Sequence, residues 1–125
     1  MAVSNQMSVA EHIQRVMWRY YQRKWNPNRD TVSTLRDWWA WPMLVRMPDI
    51  GTDYTVDIDG GPVYGVTVGI VREPKIMVFM LSETFEKINN DTSTAAIESI
   101  AGRIKIRGFE PERRRLTAAL SFLAW

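Results

Sequence analysis

The order of apolar and polar residues predicts three β-strands between residues 54 and 81. In the first run, Tyr54, Val56 and Ile58 fall on one side of an extended chain and polar residues fall on the other, as in a strand with one buried face. The second run keeps this alternation, and the third, 76–81, is apolar at every position. Gly or Pro occurs in both intervening segments and indicates turns. These runs predict a β-meander.

Apolar residues recur at helical spacing both before and after the predicted strands. Ser8 and Glu11 have capping-box spacing and predict a helix over 9–25, with a core face of Val9, Ile13, Val16, Met17 and Tyr20. Start signals and apolar spacing predict further helices, which cover 31–40, 83–89, 93–101 and a stretch that begins at Pro111. Edge strands are expected near 43–45 and at 103–107, where cations alternate with Ile104 and Ile106.

These elements predict an α+β fold. N-terminal helices come first, followed by a mainly antiparallel sheet of three to five strands with a β-meander core, and C-terminal helices pack on one face. At 125 residues, the chain is long enough to bury about two thirds of its unfolded surface. A single domain over 1–125 is therefore expected.

The composition excludes several kinds of chemistry. The chain has no cysteine and one histidine, His12, which argues against a disulfide framework, a thiolate metal site and a catalytic triad. No phosphate-binding glycine motif is present, and we expect neither a cofactor nor a metal. No apolar run reaches the roughly 18 residues of a membrane span, and the N-terminus does not resemble a signal peptide. We therefore expect a non-secreted, cytoplasmic protein without a membrane partner.

Charge is unevenly distributed along the chain. The total is +2, but residues 1–47 carry +4, residues 48–100 carry −6 and residues 101–125 carry +4. In one interpretation, the blocks neutralise each other within the fold. In the other, the two basic ends form one basic patch that binds nucleic acid or an acidic protein surface.

The predicted first helix carries aromatic residues away from its core face. This second group consists of Trp18, Tyr21 and Trp25. The same helix carries a row of arginines at intervals of four residues, namely Arg15, Arg19 and Arg23. Either other elements of the fold cover these aromatic residues, or they form a binding surface of the composition found in interfaces. The basic, apolar C-terminus adds to such a surface. The predicted partner-binding residues are Arg15, Trp18, Arg19, Tyr21, Arg23, Trp25, Arg113, Arg114, Arg115 and Trp125.

Two short acidic motifs resemble a nuclease signature. Pro48-Asp49 and Glu73-Pro74-Lys75 are similar to the PD-(D/E)xK pattern of a large nuclease superfamily. The resemblance covers roughly residues 31–107, because the family core also runs helix, three-stranded meander, helix, strand. It implies that Asp49 and Glu73 hold Mg²⁺ and that Lys75 helps to activate water.

Three functional hypotheses follow from these patterns. The first is a non-catalytic protein-interaction or assembly module, such as an oligomeric structural component, a virion component or a small inhibitor of the kind that phages and mobile elements encode. The second is a nucleic-acid-binding protein that uses the basic patch, whose affinity would fall steeply with salt. The third is the Mg²⁺-dependent nuclease. The partner is accordingly expected to be another protein, a second copy of the chain or nucleic acid.

Overall fold

The computed structural model describes residues 2–28, 42–58 and 63–108. Helix α1 spans Ala2–Tyr20 and continues as a π-helical turn over Tyr21–Trp25 and a 3₁₀ turn over Asn26–Asn28. The strands are β1 (Met43–Met47), β2 (Thr52–Ile58), β3 (Val63–Val68), β4 (Ile76–Phe79) and β5 (Lys105–Gly108). Helices α2 (Ser82–Asn89) and α3 (Ala95–Ile100) lie between β4 and β5. No described helix is long and apolar enough to cross a membrane.

The five strands form one sheet in the order β3-β2-β1-β4-β5. Strands β1 and β4 run parallel, and the other neighbours are antiparallel. The predicted α+β class with a mainly antiparallel sheet is therefore confirmed. The meander consists of β1, β2 and β3, because β4 crosses over to pair with β1 instead of β3.

Strand β1 occupies the centre of the sheet. The prediction of an edge strand at 43–45 is therefore wrong, and burial on both faces explains why Met43, Leu44 and Val45 are all apolar. The prediction of an edge position for β5 is confirmed, since β5 pairs only with β4 among the described strands.

The N-terminal ends of two helices differ from the sequence prediction. Helix α1 begins at Ala2 instead of Ser8. Helix α2 begins without a side-chain cap of its own; its first backbone N–H, from Ser82, donates to Asp49 Oδ1 at 3.0 Å. Helix α3 has a conventional cap, because Thr94 Oγ1 accepts from the Ile97 backbone N–H at 3.1 Å. The predicted helices at 31–40 and after 110 lie outside the described residues.

Helix α1 packs on the inner face of the sheet, which carries the core. Three polar contacts fix its position over β2 and β3. Tyr54 Oη donates to the Ala10 carbonyl at 2.9 Å, Gln14 Nε2 donates to the Val66 carbonyl at 2.6 Å, and the Asn26 amide exchanges two hydrogen bonds with the Val63 backbone. These bonds satisfy polar groups at the edge of an otherwise apolar contact.

The outer face of the sheet carries paired charges. Arg46 Nε lies 2.8 Å from Asp53 Oδ1 on the neighbouring strand, and the Arg46 and Arg107 guanidinium groups each lie 5.8 Å from the centre of the Phe79 ring. Cation–π contacts of this kind are favourable but small at exposed sites. Two arginines of the basic blocks, Arg46 and Arg107, thus interact with an acid or an aromatic ring of the same sheet.

Candidate functional site

An apolar cavity lies between α1, the inner face of the sheet and the α2–α3 segment. Its volume is about 40 Å³. Among the described residues, no charged side chain lines it, and the polar atoms of the lining side chains belong to two tyrosines and one tryptophan. The lining residues are Met17, Tyr20, Tyr21, Trp25, Met43, Val45, Val78, Met80, Phe85, Ile88, Ala95 and Ile104. We call this space the inner cavity.

The π-helical turn explains how Tyr21 and Trp25 reach the inner cavity. In this turn the Asn26 backbone N–H donates to the Tyr21 carbonyl, a span of five residues. A π-helical turn therefore contains more residues than an α-helical turn, which rotates the positions after Tyr20 relative to an ideal α-helix. Placed on such an ideal helix, Tyr21 and Trp25 fall away from the core face, whereas in the structure both are buried.

Edge-to-face aromatic contacts form one wall of the inner cavity. The Tyr20 ring centre lies 5.6 Å from that of Phe85, and the Tyr21 ring centre lies 6.0 Å from that of Trp25. Burial raises the pKa of both tyrosines. The Tyr21 hydroxyl makes no hydrogen bond to any residue that the structure describes, so it is a rare polar group within an apolar wall.

A second, more open depression lies at the end of β4, and we call it the groove. Its volume is about 370 Å³. It combines apolar walls with a hydroxyl and two cations. The lining residues are Pro48, Phe79, Met80, Leu81, Thr84, Gly102, Arg103 and Lys105. Met80 lines both the groove and the inner cavity.

A buried ion pair holds the turn between α3 and β5 beside the groove. The Glu98 carboxylate is 1% exposed; it accepts from Arg103 Nε at 2.9 Å and Nη2 at 2.6 Å, and from Ser93 Oγ at 3.0 Å. These hydrogen bonds, chiefly those from Arg103, lower the pKa of Glu98 to about 2. The Glu98 carbonyl also accepts from the Arg103 and Ile104 backbone N–H groups. The guanidinium of Arg103 therefore has a structural role as the hydrogen-bond partner of Glu98.

The structure divides the predicted partner-binding residues into separate groups. Trp25 is 2% exposed and lines the inner cavity with Tyr21, while Trp18 is half-buried and packs against the core. For Tyr21 and Trp25, the interpretation that other elements cover them holds. Arg15, Arg19 and Arg23 are exposed.

Arg23 has a structural contact at the end of α2. Its Nη2 donates to the Asn89 carbonyl at 2.8 Å and to the Asn89 side chain at 3.2 Å. The neighbouring Lys24 pairs with Asp91, so this part of α1 is tied to the turn after α2. The other predicted contacts, Arg113, Arg114, Arg115 and Trp125, lie outside the described residues.

The residues of the nuclease resemblance do not form a described metal site. Asp49 accepts from both the backbone and the hydroxyl of Ser82, and these bonds lower its pKa against the opposing effect of desolvation. Glu73 and Lys75 lie in the loop between β3 and β4. Within the described ranges, no group of three acids or histidines is placed to hold a metal ion.

Sequence reasoning missed much of the inner cavity. Phe85, Ile88 and Ala95 line it from α2 and α3, and Met80 separates it from the groove. Sequence analysis predicted a helix over 83–89 without assigning an inward face to it, so the places of Phe85 and Ile88 in the lining were not anticipated. Only the continuous apolar run of β4 indicated an element with two covered sides.

Comparison with known proteins shows which fold this is. No protein-family profile and no curated protein sequence matches the chain. Among solved structures, palmitated SCP2L2 from Aedes aegypti matches with 14% identity over 86% of this chain and 93% of that chain, at a TM-score of 0.56. UbiJ-SCP2, a ubiquinone synthesis protein, matches with 12% identity over 90% of this chain and 93% of that chain, at a TM-score of 0.55.

A larger protein contains a similar unit. The chain matches the sec-alkyl sulfatase PisA1 with 15% identity and a TM-score of 0.50, over 66% of this chain. It spans only 13% of the length of that sulfatase. At these identities the likeness shows the fold, and the fold is that of sterol carrier proteins.

This fold contradicts the predicted function and partners. The protein-interaction or assembly module, the viral or mobile-element inhibitor, the nucleic-acid-binding protein and the nuclease are all wrong, because the structural neighbours are sterol carrier proteins. The physical source of the error is the π-helical turn after α1, where Tyr21 and Trp25 were treated as candidates for surface contacts. Both side chains line an interior space instead.

Proposed function

We propose that this protein binds a lipid in the inner cavity. The observation that carries the proposal is an interior space whose described lining residues, from α1, the sheet and the α2–α3 segment, are apolar or aromatic. The fold supports it, because the structural neighbours include sterol carrier proteins and one of them is palmitated. Apolar walls with few polar groups are the usual lining of small-molecule sites.

The ligand-free cavity is smaller than the ligand that we propose. Ligand pockets usually hold about 300–1,000 Å³, whereas the inner cavity has about 40 Å³. Side chains must therefore move when a lipid binds. Met17, Met43 and Met80 line the space, and methionine adapts readily because it is unbranched and has three rotatable bonds.

The described residues of the cavity lining carry no charge, and this determines the kind of binding energy that we expect. Transfer of an alkyl chain from water to this lining is driven by burial of apolar surface, at about 25 cal/mol per Å². We therefore expect a negative heat capacity change on binding. Titration calorimetry at several temperatures with hexadecanoic acid and with cholesterol measures this change.

The location of the ligand is tested through Trp25. Brominated hexadecanoic acid quenches tryptophan fluorescence at short range, so we expect it to quench the wild-type protein. Trp25→Phe keeps an aromatic wall while removing the fluorophore that lines the cavity, so binding should persist while the quenched fraction falls. Native mass spectrometry supplies the stoichiometry, which we expect to be one lipid per chain.

Two results would contradict the proposal in different ways. If native mass spectrometry and calorimetry detect no complex with hexadecanoic acid or cholesterol, the lipid-binding function is wrong. If a complex forms but Trp25→Phe leaves the quenching unchanged, the lipid binds outside the inner cavity. The single domain over 1–125 and the cytoplasmic location stay predictions beside this proposal, which cell fractionation and limited proteolysis would test.

A further inference from the structure

Helix α3 places a charged residue inward and two isoleucines outward. Glu98 and Ala95 are buried, whereas Ile97 is 55% exposed and Ile100 is 88% exposed. Because residues three apart lie on the same side of a helix, the two isoleucines share one exposed face. Surface helices of globular proteins normally have the opposite arrangement, with apolar residues toward the core. The core of this fold therefore does not account for Ile97 and Ile100.

The turn after α3 fixes the position of these isoleucines. The Glu98 side chain and carbonyl both accept hydrogen bonds from Arg103, and the ion pair balances the charge of that arginine. Between the two lies Gly102, whose φ of +80° gives the turn its left-handed conformation. Ile100 is thus exposed at the end of a helix that is braced against the start of β5.

Cations of β5 border the exposed isoleucines. Lys105 and Arg107 are exposed, and neither forms an ion pair with a residue of the described ranges. Lys105 lines the groove together with Gly102, which follows Ile100 by two residues, and with Leu81. Leu81 adds a further apolar side chain that is about half exposed. We call this set the docking face; it consists of Leu81, Ile97, Ile100, Lys105 and Arg107.

We propose that the docking face binds the surface of an anionic lipid bilayer. Ile97 and Ile100 enter the boundary between headgroups and acyl chains, and Lys105 and Arg107 contact the anionic headgroups. Interfacial binding commonly combines burial of apolar side chains with attraction of cations to anionic lipids. A bilayer also accommodates a protruding side chain such as Ile100 without a pocket of complementary shape. This surface is separate from the inner cavity, and the inference holds whether or not the cavity binds a lipid.

The test is co-sedimentation of the purified full chain with vesicles. Vesicles of phosphatidylcholine alone are compared with vesicles in which about one third of the lipid is phosphatidylglycerol. Two uncompensated cations near an anionic surface should strengthen binding to the second kind roughly tenfold or more. This preference should shrink as salt rises from about 50 to 200 mM, because salt screens exposed charges.

One pair of variants tests the apolar part of the docking face. Ile100→Ser should weaken binding to the anionic vesicles by roughly tenfold, since it removes most of the apolar surface that enters the interface. Ile70→Ser is the matched control, because Ile70 is also 55% exposed but lies in the loop after β3, at the opposite edge of the sheet from β5. We expect Ile70→Ser to leave vesicle binding unchanged.

A second pair of variants tests the charge. Lys105→Gln should lower the affinity for anionic vesicles about fivefold and leave the weaker binding to phosphatidylcholine unchanged. Arg19→Gln removes an equal charge from an exposed residue of α1, outside the docking face, and should have a much smaller effect.

The outcomes also separate this inference from the lipid-binding function. Lack of binding to anionic vesicles at the lowest salt would overturn the docking face. Binding that survives Ile100→Ser and Lys105→Gln but is lost in Arg19→Gln would place the membrane contact on α1 and overturn it as well. Native mass spectrometry of Ile100→Ser with hexadecanoic acid reports on the inner cavity alone, and we expect the same complex as for the wild type.

Discussion

The inner cavity and the groove differ sharply in chemistry although Met80 lines both. The described residues that line the inner cavity are all apolar or aromatic, whereas the groove adds Thr84, Arg103 and Lys105 to its apolar walls. The inner cavity lies between α1 and the sheet. The groove lies where the ends of β4 and β5 meet the start of α2.

The difference follows from burial, because burial determines how much it costs to place a charged side chain at a site. A charge inside the inner cavity would be desolvated without a partner, at a cost of several kcal/mol. At the groove, solvent lowers that cost, so the cations Arg103 and Lys105 can be part of its lining. Truncation of a buried residue of the inner cavity should therefore cost more stability than truncation of an exposed apolar residue of the groove.

The largest expected effect comes from truncation in the inner cavity. Trp25→Ala removes a side chain that is 2% exposed and should lower the free energy of unfolding by about 3–5 kcal/mol. Leu81→Ala is the matched truncation at the groove, where the side chain is 48% exposed; it should change stability by about 0.5 kcal/mol or less. Urea denaturation measures both values. Equal costs for the two variants would remove the proposed distinction between the regions.

A smaller effect is expected from the ion pair that holds the groove wall. Glu98→Gln keeps the size of the side chain but removes the charge that pairs with Arg103. We expect a loss of about 1.5–3 kcal/mol in the free energy of unfolding, the range for hydrogen bonds to charged groups.

The contribution of Glu98 should also depend on pH. Its pKa is about 2 in the folded protein and lies near 4.5 when unperturbed. Because the folded pKa is the lower one, the stabilisation is complete above about pH 4.5 and is lost as the pH falls towards 2. Thermal unfolding between these values should show a shallower pH dependence for Glu98→Gln than for the wild type. Parallel profiles would contradict this role.

The smallest effects compare two buried hydroxyls. Tyr54→Phe removes the hydrogen bond to the Ala10 carbonyl and should cost about 0.5–1.5 kcal/mol. The Tyr21 hydroxyl has no described partner, so Tyr21→Phe should be close to neutral or slightly stabilising, since it removes a polar group from an apolar wall. Chemical denaturation of the two variants gives the comparison. A larger loss for Tyr21→Phe would mean that its hydroxyl has a structural role.

The strand order shows where sequence reasoning failed. The three runs in 54–81 were interpreted as neighbours because consecutive strands often pair. Instead, β4 pairs with β1 in parallel, and the position of β1 at the centre of the sheet was missed. The apolar character of Ile76–Phe79 indicated a strand covered on both sides, but a fully apolar strand does not specify which neighbour it joins.

The helix periodicity identified most of the inward face of α1 correctly. Ile13, Met17 and Tyr20 are buried as the helical spacing predicted, while Val9 is nearly half exposed. The prediction from helical spacing failed after Tyr20. It assumes the same rotation at every residue, whereas the chain changes to a π-helical turn there. The roles of Tyr21 and Trp25 therefore could not be obtained from spacing alone.

The sequence by itself determined the α+β class, the positions of most strands, the inward face of β2 and most of that of α1, because the periods of 2 and 3.6 residues are local properties of the backbone. Only the tertiary structure decided that β4 lies beside β1, that Trp25 lines an interior space and that Thr84 and Lys105 share one groove. The period of the apolar residues indicates which residues share a face of an element, but it does not indicate which faces pack against each other. That choice depends on contacts between residues far apart in the chain, so the inner cavity and the groove exist only once the elements have packed.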